Sequence, residues 1–126
     1  MPSTFRKAIE GAYGGALFTT ALTDQCLQIY PLAVWEEIEN KVNGLGAMNP
    51  LRRKFLTRAN RFGAEVEMDG QGRILLKAVQ RDEVGIKGEV VLIGCADHLE
   101  LWPEKVMEKQ EHADAFTDED FATLGI

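Results

Sequence analysis

Apolar positions along the chain fall in short runs whose spacing switches between two and three or four, which predicts strands and helices in alternation. Residues 16–20 and 26–30 read as two short strands joined by a loop around Thr23, Asp24 and Gln25. After Pro31 the spacing of Trp35, Ile38 and Val42 is helical, with Gly44 as the stop. Asn49 and Pro50 make a cap and first turn for a second helix that carries Leu51, Phe55, Ala59 and Phe62 on one face and ends at Gly63. Arg52, Arg53, Arg58 and Arg61 lie off that stripe and read as a solvated face. Next comes VEMDGQGRILL at 66–76. Val66 and Met68 alternate with Glu67, Asp69-Gly70 is a tight-turn signal, Gly72 can take a positive φ, and 73–76 resumes an extended apolar pattern. The stretch predicts a β-hairpin, followed by a basic turn at 77–81, strands at 89–93 and 98–102, and a third helix at 103–112. Thr117 and Asp120 match a capping box just before Phe121.

Two phrases in this pattern are nearly the same. CLQIYP at 26–31 and HLELWP at 98–103 superpose at a constant offset of 72, with Leu27, Ile29, Tyr30 and Pro31 on Leu99, Leu101, Trp102 and Pro103. An internal duplication explains the match. Each half of a 126-residue chain is too small to bury a comfortable core alone. The halves are therefore expected to pack on each other or on further subunits.

Net charge alters the picture because it is unevenly spread. The chain carries −6 overall, yet residues 1–49 hold −2, residues 50–81 hold +5 and residues 82–126 hold −9. A basic island thus sits within an acidic protein, followed by an acidic tail that any polyanion would repel. No apolar run approaches the length of a membrane span and no basic-then-apolar leader opens the sequence, so a cytosolic protein is expected. Cys26 and Cys95 are too few for a disulfide framework and read as reduced thiols.

Candidate chemistry is sparse. Cys95 and His98 have a metal-like spacing, but a structural zinc site needs four ligands, and only Cys26 and His112 remain as soft or imidazole partners, so no metal is expected. No orienting third group marks a Cys-His nucleophile, and Gly70 and Gly72 lack the third glycine and following helix of a phosphate loop. No acid–base pair stands out among 20 carboxylates. Neither an enzyme nor a cofactor is expected. Trp35 and Trp102 read as core residues.

The run Asp69-x-x-Gly72-Arg73-Ile74-x-Leu76 followed by Arg81 resembles the D-x-x-G-R-[ILV]-x-[LIV]-P-x-x-[LF]-R signature of the MraZ family, bacterial transcriptional regulators of the AbrB-like swapped-hairpin superfamily. YPLAVWEEIE, NPLRRKF and VVLIGCADHLELWPE are similar to that family's connecting segments, in the expected order. The resemblance implies an α+β, mostly β fold, a tandem duplicated swapped-hairpin β-barrel with helices. It also implies a nucleoid-associated protein that binds double-stranded DNA at short direct repeats upstream of the cell-division and cell-wall operon as a ring-shaped homo-oligomer larger than a dimer. The DNA-facing role would fall on Arg73, with Asp69 and Gly72 shaping the turn that presents it, and with Arg81, Gln71, Lys77 and Arg6 as further DNA-binding candidates. The physics agrees, since an arginine on a rigid hairpin tip can reach guanine bidentately while nearby lysines neutralise phosphates.

Two departures accompany the resemblance. Lys77 replaces the signature proline and Gln80 its apolar position, which removes a rigid φ and a packed side chain from the segment leading to Arg81. Residues 2–6, ending in Arg6, match the closing part of the same signature, so the first half is expected to lack its hairpin. A late start codon or a shortened chain is the preferred explanation, over a divergent protein in which another chain fills the gap. The expected organisation is a first half at 1–48, a basic connecting helix at 49–63, a second half at 64–112 and the acidic tail at 113–126. The alternative to a DNA-binding regulator is an oligomeric scaffold or binding module of the same fold with weak or lost operator binding.

Overall fold

The computed structural model describes residues 16–69 and 73–126; Arg6, Gln71, Gly72 and the glycine of the Asp69-Gly70 turn signal lie outside them. Strands β1 (Ala16–Thr20) and β2 (Leu27–Pro31) pair antiparallel, with Phe18 opposite Tyr30. Pro31 has no N–H for the ladder, and the chain passes from it directly into helix α1 (Leu32–Asn43). Helix α2 (Pro50–Phe62) begins at the expected cap, where Asn49 Oδ1 accepts from Leu51 N at 2.9 Å. Strand β3 (Ala64–Glu67) pairs antiparallel with β1. Helix α3 (Ala78–Val84), strands β4 (Val90–Cys95) and β5 (His98–Pro103), and helices α4 (Glu104–Ala113) and α5 (Asp118–Leu124) follow.

These elements make an α+β fold with one five-stranded antiparallel sheet in the order β3-β1-β2-β5-β4. The repeated phrases are its central strands. Leu27 lies opposite Leu101 and Ile29 opposite Leu99, with Gln28 facing Glu100 between them. Because Leu99 is the counterpart of Leu27 and Leu101 of Ile29, this ladder relates the two halves by a local two-fold axis between Gln28 and Glu100. Each phrase ends in a proline that starts a helix, α1 after Pro31 and α4 after Pro103. The halves also interleave, since β3 of the second lies beside β1 of the first.

Strand alternation divides the core between the two faces of the sheet. On one face Phe18, Tyr30, Val34, Trp35 and Ala59 form an aromatic cluster, in which Trp35 stacks on Phe18 at 4.4 Å and on Phe55 at 5.6 Å. Cys26, Trp102 and Met107 continue that face beneath α4. The other face buries Leu17, Ile29 and Leu99 against Val66, Met68, Ile74 and Leu92. Gly63 joins α2 to β3 at a point where an added Cβ would collide with Ala59 O and Phe18 Cζ, so only glycine lets α2 lie this close to β1. Both tryptophans are buried as expected.

Two expected elements differ. Residues 77–81 are not a turn but the start of α3. Gln80 Oε1 accepts from Lys77 N at 3.0 Å, the backbone N–H groups of Gln80 and Arg81 reach Lys77 O at 3.1 Å, and Gly85 at φ 71 ends the helix. A glutamine three residues after the cap supplies half of a capping box without a serine or threonine at the cap itself. Residues 73–76 keep the expected alternation, with Ile74 and Leu76 inward and Leu75 exposed, yet they join no ladder among the described residues. Their inward side chains pack on the sheet face instead of extending its edge.

Candidate nucleic-acid interface

Asp69 and Arg73 close the segment that precedes α3. Asp69 N donates to Arg73 O at 2.9 Å, Arg73 N donates to Asp69 Oδ1 at 2.8 Å, and Arg73 Nε donates to Asp69 Oδ2 at 2.9 Å. The side chain of Arg73 is 70% exposed. An ion pair this open adds little stability. Its effect is orientation, because a guanidinium gripped at Nε can still offer its two terminal nitrogens end-on to a base edge or a phosphate. The spacing of aspartate and arginine thus joins the two residues through backbone and side chain and presents a cation at once. Inward of it lies a cavity of about 410 Å³, walled by Ile29, Ile74, Leu76, Leu92 and Leu101 as well as Arg73.

Lys77 caps α3, and its Nζ donates to Gly63 O at 3.2 Å, which ties the exposed ammonium to the junction of α2 and β3. Arg81 lies exposed in the last turn of α3; among the described residues no hydrogen bond or ion pair joins it to Asp69 or Arg73. Gln80 corrects the expectation that this segment lost a packed side chain. It is 0% exposed, and its Nε2 lies 2.7 Å from Phe62 O, 3.0 Å from Thr19 Oγ1 and 3.2 Å from Thr19 O. A buried amide with its donors matched to acceptors on β1 and α2 anchors α3 as firmly as an apolar side chain would.

The basic face of α2 is less uniform than its sequence suggests. Arg58 is only partly solvated: its Nε donates to Leu22 O at 3.0 Å, its Nη1 pairs with Glu83 at 3.3 Å, and its guanidinium lies 4.7 Å from the Phe62 ring centroid. The long side chain reaches from the helix to the β1–β2 loop and to α3, a structural bracket. Arg53 is exposed.

The opposite end of the sheet gathers different chemistry. His98 Nδ1 lies 2.9 Å from Asp97 Oδ1, His98 Nε2 lies 3.4 Å from Glu100 Oε2, and Trp102 Nε1 donates to Glu100 Oε1 at 3.1 Å. Donor atoms of Cys95, His98 and Glu100 all fall within 4.8 Å of one another. Sequence spacing pointed to Cys95 and His98 and missed Glu100, although a residue two along from His98 on a strand must share its face. Cys26 and His112, the other ligands weighed from the sequence, are not part of this group. Burial, reinforced by Glu100, pushes the Cys26 thiol up to about 11, while burial with Asp97 and Glu100 pushes Tyr30 up to about 12. The Cys95 thiol is raised too, by burial and then by Glu100. Among the described residues no helix is long and apolar enough to cross a membrane.

Residues 63–124 match a family model described as "MraZ protein, putative antitoxin-like". The chain is 36% identical over 124 residues to a protein of Acidobacterium capsulatum named transcriptional regulator MraZ, an alignment that covers 98% of this chain and 85% of the relative. A protein of the same name from Nitrosospira multiformis is 40% identical over 119 residues, covering 94% and 81%, and one from Koribacter versatilis is 34% identical over 125 residues, covering 98% and 85%. Identity at this level along nearly the whole chain agrees with the motifs read from the sequence, and the chain belongs to the MraZ family.

Proposed function

We propose that this protein is a sequence-specific DNA-binding regulator of transcription that reads short direct repeats upstream of its own division and cell-wall gene cluster as a ring-shaped homo-oligomer. The observation that carries the reading is the exposed Arg73 held at Nε by Asp69 in a chain whose relatives are named transcriptional regulators. Arg73 supplies base readout, while Lys77, Arg81 and Arg53 supply phosphate neutralisation within a segment of net charge +5. One subunit offers few such contacts, so usable affinity requires several subunits on repeated sites. Exposed Leu75, at 82%, and Leu51, at 65%, offer apolar surface for that assembly.

Electrophoretic mobility of a DNA fragment containing the protein's upstream repeats, run across a salt series, tests the proposal. Arg73→Ala lowers specific affinity by about 1–3 kcal/mol and relaxes discrimination at one base position. Arg53→Ala weakens all sequences alike and reduces the salt slope by about one unit. Equal losses in the two variants overturn the role given to Arg73. Wild-type binding that ignores the repeats supports the scaffold alternative instead.

A further inference from the structure

The β4–β5 hairpin turns on two residues, Ala96 and Asp97, so that Cys95 and His98 are direct ladder partners. Glu100 is the next residue on the same face of β5, and strand alternation places it beside both. Three donor types therefore converge on one patch, a thiol, an imidazole and a carboxylate, with their ligating atoms within 4.8 Å. We propose that Cys95, His98 and Glu100 form a site for a zinc-class divalent transition-metal ion.

Several features of the hairpin suit a metal more closely than its sequence spacing does. Metal–ligand bonds of about 2.0–2.3 Å put neighbouring donor atoms roughly 3.5 Å apart, so the group needs only a small contraction. His98 is already oriented as ligating histidines are: Nδ1 lies against the Asp97 carboxylate at 2.9 Å, and Nε2 faces Glu100. Its ring stacks on Tyr30 at 4.6 Å, which fixes the plane from the other side. Trp102 Nε1 holds the second oxygen of Glu100, leaving Oε2 toward the histidine. The hairpin is also held by a residue in a conformation that L side chains rarely adopt, Ala96 at φ 47. Among the described residues no lysine or arginine pairs with Asp97 or Glu100, so an incoming cation meets two carboxylates. Thiolate with imidazole and one carboxylate selects zinc, cobalt or copper over magnesium or calcium, which take oxygen donors. Three protein ligands leave the fourth tetrahedral position to water or another donor.

The test uses the full chain, stripped of metal with a chelator and kept reduced, titrated with Zn²⁺ by calorimetry and with Co²⁺ by absorption. The expected result is one ion per chain, with a sulfur-to-cobalt charge-transfer band. Cys95→Ser abolishes that band, and Glu100→Gln and His98→Asn each weaken Zn²⁺ binding by more than the about 10–100-fold typical of residues that only support a ligand. His112→Ala leaves affinity and stoichiometry unchanged. Circular dichroism before titration confirms that each variant is folded, and Glu100→Gln serves if Cys95→Ser is not. Wild-type protein that binds no Zn²⁺, or a charge-transfer band that survives Cys95→Ser through Cys26, overturns the proposal. So does equal affinity in wild type and Glu100→Gln, in which case Glu100 is no ligand.

Discussion

The hairpin–helix units β1–β2–α1 and β4–β5–α4 carry nearly the same phrase and meet at the centre of one sheet, yet they are buried very differently. Four of the five residues of β1 are buried, whereas β4, its counterpart in the other unit, is partly or wholly exposed throughout. Position explains the contrast. β1 has a neighbour on each side, β3 and β2, and its Phe18 is covered by α1 and α2, while β4 ends the described sheet. The pair on the local two-fold axis shows what followed. Gln28 is 8% exposed and its Oε1 accepts from Leu22 N at 3.1 Å to close the β1–β2 loop; Glu100, half-buried, instead gathers His98 and Trp102. One of the two paired positions closes a loop, and the other holds a polar cluster.

That contrast breaks first, if it is wrong, at the two units' apolar residues. Trp35→Ala removes the ring that Phe18, Tyr30 and Phe55 pack against and is expected to cost about 3–5 kcal/mol in urea unfolding. Ile93→Val on β4 is expected near 0.5 kcal/mol, the low end of the usual range of about 0.5–1.5. Comparable losses at the two sites would show that the second unit is packed as tightly as the first.

Alkaline titration sharpens the comparison next. Cys26 rises from 9.0 to about 11 and Tyr30 from 10.0 to about 12, so above pH 9 the unfolded chain releases protons that the folded chain keeps. Stability contributed by these groups is complete below pH 9 and falls as pH rises toward 12, on the order of 2–3 kcal/mol for each group. Cys26→Ala flattens the decline between pH 9 and 11, whereas Cys95→Ser leaves most of it in place. A decline of unchanged slope in Cys26→Ala contradicts the assignment.

A further effect is expected where α3 is anchored on β1 and α2. Gln80→Leu restores an apolar residue where the family signature has one, but here it strands Thr19 Oγ1 and the carbonyls of Thr19 and Phe62. A loss of about 1–3 kcal/mol follows, measured by thermal or urea unfolding. A stabilised Gln80→Leu variant would mean that the amide is dispensable and that the signature residue fits this chain unaided.

Much of this organisation was legible in the residues themselves. Asn49-Pro50, the helical spacing after Pro31 and the box of Thr117 with Asp120 are local signals, and the structure realises each as a cap or helix where it was expected; Thr117 Oγ1 accepts from Asp120 N at 3.2 Å. The acidic tail therefore carries a capped helix within it. What escaped the sequence depended on distant partners. Gln80 reads as a polar intruder until Thr19 and Phe62, 61 and 18 residues away, come within reach of its amide. Arg58 reads as solvated until Leu22 and Glu83 are folded beneath it. Glu100 escapes the Cys–His spacing and joins that pair only through the period of two that a strand imposes on its faces.

The pairing of the two repeated phrases also bears on how the chain reaches this structure. The β4–β5 hairpin closes through two residues and β1–β2 through a short loop, contacts that form on the microsecond scale. The central ladder joins residue 27 to 101 and 29 to 99, and so must close a loop of roughly 70 residues before its hydrogen bonds repay the lost chain entropy. The seam between the two phrases is therefore the expected kinetic bottleneck, with both hairpins assembled on either side of it and waiting for a slow encounter to register them.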